Sequence, residues 1–111
     1  MPLFKLSEKD KHREAWCEAV FGKKARFPRE FTDAQLCRLT SELLMKHDRI
    51  IRESAEIIRT SEDEDARWSR IDVMRMHYYE GMLRLKPFCN SEQLAVISEA
   101  EVIVKSVIDP E

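Results

Sequence analysis

From Thr32 to Thr60 the chain runs without a single Gly or Pro, and the run opens on a strong start signal. Thr32 and Gln35 form a T-x-x-Q capping box, in which each side chain satisfies the other residue's backbone N–H. Phe31 and Leu36 flank the box as a hydrophobic staple. Leu36, Leu39, Leu43, Leu44, Ile50, Ile51, Ile57 and Ile58 then fill one helical arc. The pattern predicts a helix over 33–59, about seven to eight turns long. With only two Gly and four Pro among 111 residues, long continuous elements are favoured throughout.

The rest of the chain reads the same way. Ser7 and Asp10 make an imperfect cap for a first helix over 8–21, whose modest apolar face is His12, Ala15, Trp16, Ala19 and Val20; Gly22 stops it. Ser61 and Glu64 form an S-x-x-E box for a third helix over 62–85, with Trp68, Ile71, Met74, Tyr78, Met82 and Leu85 as its main face; it ends before Pro87. Asn90 and Gln93 cap a fourth over 91–108, with Leu94, Ile97, Ala100, Ile103, Val104, Val107 and Ile108 inward. Short links between the second, third and fourth helices make those consecutive helices antiparallel neighbours. The expectation is one all-α domain over 1–111, an antiparallel bundle of four helices.

Composition bounds the function. Apolar residues make up 43% and charged residues 36%, a globular rather than a disordered balance. The net charge of −2 lacks the basic surplus of a general nucleic-acid binder. Residues 1–60 carry 13 Lys/Arg against 10 Asp/Glu and residues 61–111 carry 6 against 11, so the halves differ in sign. Cys17, Cys37 and Cys89 share no short spacing, which fits free thiols in a reducing compartment. The chain's start lacks a signal peptide's apolar region, and no apolar run approaches a membrane span. The location expected is cytoplasmic, with no membrane partner.

Several residues are candidates for chemistry. Thr40, His47 and Ser54 fall seven apart within the second helix's apolar arc. They form either a polar seam that binds a ligand or carries a reactive imidazole, or else an internal hydrogen-bond network or small residues that let a neighbouring helix approach. Carboxylate-bridged metal bundles need Glu-x-x-His pairs. The residues three before His12, His47 and His77 are Lys9, Leu44 and Met74, so no metal site and no cofactor are expected. Lys23, Lys24, Arg26 and Arg29 surround Phe27 in a basic loop, either an anion contact or a solvated connection.

Two local patterns resemble known families. Glu53-x-x-Glu56 followed by Glu62-x-x-Asp65 resembles the magnesium-binding carboxylates of the all-α nucleotide pyrophosphohydrolases. There the pairs lie on separate helices with a longer separation, whereas here one pair ends the second helix and the other opens the third. His77-Tyr-Tyr-Glu-Gly81 resembles the H-x-x-K-G core of histidine phosphotransfer domains. That resemblance implies a phosphoryl-accepting His77, left open to a response regulator by Gly81. Glu80 stands where that family has lysine. The alternative is that Gly81 allows close packing.

The third helix carries more apolar surface than one face uses. Val73, Met76 and Leu83 lie roughly opposite the main face, with Ala66 extending the stripe, and Arg75 falls near the main face. Either the first helix covers the stripe or a second copy does, in an isologous two-fold interface. The function expected is a non-enzymatic interaction module that homodimerises through Val73, Met76 and Leu83, with the 23–29 loop as a secondary contact. The alternatives are phosphotransfer at His77 and a small-ligand site at His47.

Overall fold

A computed structural model describes residues 8–22 and 32–108. Four helical rods account for them: α1 (Glu8–Phe21), α2 (Asp33–Thr60), α3 (residues 64–85) and α4 (Ser91–Ile108). No strand occurs among the described residues, so the chain is an all-α bundle. The rod α3 is composite. Glu64–Arg75 is α-helical, Met76–Met82 is π-helical, Leu83–Leu85 returns to α geometry, and Lys86–Phe88 closes as a 3-10 turn. The basic loop, the Ser7–Asp10 cap and the staple residue Phe31 lie outside the described residues.

Two expected capping boxes form as reciprocal pairs. Gln35 N–H donates to Thr32 Oγ1 (3.1 Å) and Thr32 N–H to Gln35 Oε1 (2.7 Å). Asn90 N–H donates to Gln93 Oε1 and Gln93 N–H to Asn90 Oδ1, both at 2.9 Å. Gln93 reaches further, its Nε2 donating to the Cys37 carbonyl (3.0 Å) and Ser41 Oγ (2.8 Å), which ties the start of α4 to α2. At Gly22, φ is +94°, the left-handed conformation that ends α1.

The expected Ser61–Glu64 box does not form. The second helix runs through Thr60, and Ser61 N–H makes its last bond to the Ile57 carbonyl (2.8 Å). Ser61 is thereby spent as a terminator. Asp63 takes over the cap, accepting Asp65 N–H at 3.0 Å, and α3 starts at Glu64 rather than at residue 62.

The main core unites α2 (Leu44, Ile51, Ala55, Ile58), α3 (Met74, Tyr78, Met82, Leu85) and α4 (Ile97, Ala100, Val104). A second core lies under α1, where Trp16 and Cys17 meet Leu36, with Leu39, Leu43 and Phe88 packed beside them. The first helix therefore covers the N-terminal half of α2, the 83–85 end of α3 and Phe88 in the turn that follows, rather than running the bundle's length. Among the described residues no helix is long and apolar enough to cross a membrane.

Trp68 corrects the expected inner face of α3: it is 57% exposed. Six residues separate it from buried Met74, which at about 100° per residue turns it some 120° away from the core. Arg75, expected near that face, is also exposed.

Candidate functional site

The π-helical segment Met76–Met82 is the irregular feature inside α3. It is marked by the Leu83 N–H bonding back five residues to the Tyr78 carbonyl. Such widened turns recur at functional positions. Here the wider turn keeps Met74, Tyr78 and Met82, spaced by four, on the core side; all three are buried.

The same segment brings His77 against His47, which lies midway along α2. Their Nδ1 atoms are 2.8 Å apart, with ring centroids at 5.1 Å and planes inclined by 52°. At that distance one Nδ1 donates a proton and the other accepts it. With both rings neutral, the donor ring has a bare Nε2 and the acceptor ring an Nε2–H. The pair thus presents one proton acceptor and one donor at its outer atoms. Burial pushes the His47 pKa below its ordinary value, and the neighbouring His77 and Lys46 lower it further. For His77 burial again acts first, followed by Lys46.

Gly81 is what allows the approach. A Cβ on Gly81 would lie 2.6 Å from His47 Cε1 and 2.8 Å from both ring nitrogens. The imidazole of His47 occupies the space that any side chain at 81 would need. Beside it opens a cleft of about 220 Å³, lined by Val20 of α1, Leu43 and His47 of α2, and Glu80, Gly81 and Arg84 of α3.

The seam residues separate. Thr40 is 1% exposed and fully engaged: its Oγ1 accepts from Trp16 Nε1–H (2.8 Å) and donates to the Leu36 carbonyl (2.7 Å). It borders a different cleft, between α1 and α2, with His12, Cys37 and Phe88. Ser54 is 0% exposed, and its hydroxyl has no partner among the described residues. Only His47 of the three reaches the cleft beside Gly81.

The other candidates are dispersed. Glu53, Glu56, Glu62 and Asp65 are exposed, and no cluster of three or more metal-ligating side chains occurs among the described residues. Cys17 is buried, Cys89 half-buried and Cys37 exposed; burial raises the thiol pKa of Cys17 and Cys89. Of the stripe residues, Leu83 packs against the main core, Val73 is half-buried and Met76 is 49% exposed. Met76 is joined on the outside of α3 by Trp68 and Tyr79, the latter 53% exposed.

The pairing of His47 with His77 was not read from the sequence, yet a signal for it exists. Both lie fifteen residues from Glu62, one on either side. In an antiparallel hairpin turning at that point, equal rise per residue brings them level.

Compared with known protein families, with curated proteins and with solved structures, the chain matches none.

Proposed function

We propose that the chain is a non-enzymatic protein–protein interaction module that self-associates through the outer face of α3. One observation carries this reading. Trp68, Met76 and Tyr79 stand about half exposed on one helix, within three turns of one another. Single exposed apolar residues are ordinary, but three large ones gathered on one element support a contact surface. Aromatic residues and Met are also the side chains enriched in interfaces. Met76 is the most exposed residue of the Val73, Met76 and Leu83 stripe; Val73 is half-buried and Leu83 packs on the main core.

Met76→Asp tests the reading, because an exposed position tolerates the change in the monomer. The oligomer measured by light scattering should fall to a monomer while helical circular dichroism is unchanged. An oligomer unaffected by Met76→Asp and by Trp68→Asp contradicts it.

A second reading, phosphoryl transfer at His77, is favoured by one feature. With its Nδ1 bound to His47, the atom of His77 left for chemistry is Nε2. A response regulator's aspartyl phosphate would give up its phosphoryl group there, the P–O bond breaking as P–N forms. Gly81 speaks against it, since the glycine makes room for His47 rather than clearing His77. Acid-labile label on His77 after incubation with a phosphorylated response regulator would support this alternative, and its absence would remove it.

A further inference from the structure

Resting on the self-association reading, we infer that the partner of α3 is a second copy of α3 in one antiparallel register, centred between Val73 and Met74. Four exposed residues, Trp68, Asp72, Arg75 and Tyr79, follow one another at spacings of four, three and four. Over the α-helical part that is the spacing of a helix–helix seam, and the last step, from Arg75 into the π-helical segment, is close to one of its wider turns. The row is also symmetric about its midpoint, and the two halves are chemically complementary: aromatic and acidic on one side, basic and aromatic on the other. A two-fold axis at the midpoint lays Trp68 against the partner's Tyr79 and Asp72 against the partner's Arg75. Each contact occurs twice, as an isologous interface requires.

Charge selects this orientation. A parallel pairing in register would set Asp72 against the partner's Asp72 and Arg75 against the partner's Arg75, stacking like charges at the centre. The antiparallel register turns both into opposite-charge layers, closed at each end by an aromatic pair that excludes water. Neither Asp72 nor Arg75 has an ion-pair partner among the described residues, so both are available for the contact. Met76 lies beside the row and covers one flank of it.

The register is tested by exchanging the two charges. Asp72→Arg alone and Arg75→Asp alone each place like charges twice at the centre, and each should weaken association roughly tenfold or more. The double variant Asp72→Arg/Arg75→Asp restores opposite charges in this register and should recover most of the wild-type affinity, measured by sedimentation with circular dichroism as the folding control. Singles that associate like wild type, or a double variant that stays as weak as the singles, overturn the register while leaving self-association through α3 standing. A wild-type chain that never associates overturns both.

Discussion

His47 and His77 meet nitrogen to nitrogen at 2.8 Å across the α2–α3 hairpin, and Gly81, one turn after His77, provides the space for that contact. The histidine pair, the glycine and the π-helical segment are one structural unit: the imidazole of His47 sits where a side chain at 81 would be.

Gly81→Ala should therefore be destabilising. In an ordinary helix the change gains about 1 kcal/mol, but the added methyl must displace the His47 ring, an overpacking that costs about 1–3 kcal/mol. Urea denaturation should show a lower midpoint for Gly81→Ala and a recovery in His47→Ala/Gly81→Ala. A more stable single variant would show that the ring moves aside freely.

Stability should also depend on pH through the pair. Both folded-state histidine pKa values lie below the ordinary value, which is about 6.5 in an unfolded chain. The unfolded state then binds more protons in the interval between the two values. The contribution is complete above about pH 6.5 and is lost as pH falls toward the folded values. Denaturation midpoints should rise as the pH is raised toward about 6.5 from below, and His47→Gln should flatten the rise. A midpoint that falls over that interval would contradict the assignment.

Thr40 holds α1 to α2 through the Trp16 indole. Thr40→Val strands the buried Nε1–H and should cost about 1–3 kcal/mol, whereas Thr40→Ser keeps the acceptor and should cost much less. Equal losses for the two variants would mean that packing, not the hydrogen bond, secures α1.

Ser54 should behave in the opposite way. Its hydroxyl is buried without a partner, so Ser54→Ala removes an unsatisfied group and should be neutral or stabilising by up to about 1 kcal/mol. A loss of similar size would reveal a bond from Ser54 that holds the core together.

The helices were legible because their signals are local. The Thr32–Gln35 and Asn90–Gln93 boxes, Gly22 and the apolar arc of α2 each act within a turn or two of the chain. At Ser61 locality misled: the serine had the right spacing for a cap, but one more residue of α2 used it as a stop and passed the cap to Asp63. Trp68 differs for another reason: its size and apolar character point inward, whereas its angular distance from Met74 places it outside. The site was half legible. His47, His77 and Gly81 each stand out singly, but their conjunction depends on the vertical register of two helices, and no local motif signals the π-helical segment.

Whether α3 is a self-association surface is decided by sedimentation equilibrium of the unmodified chain over a wide concentration range. A reversible monomer–dimer equilibrium that fits a single association constant and stops at two copies is the expected result. A monomer that persists to the highest concentrations attainable would contradict it.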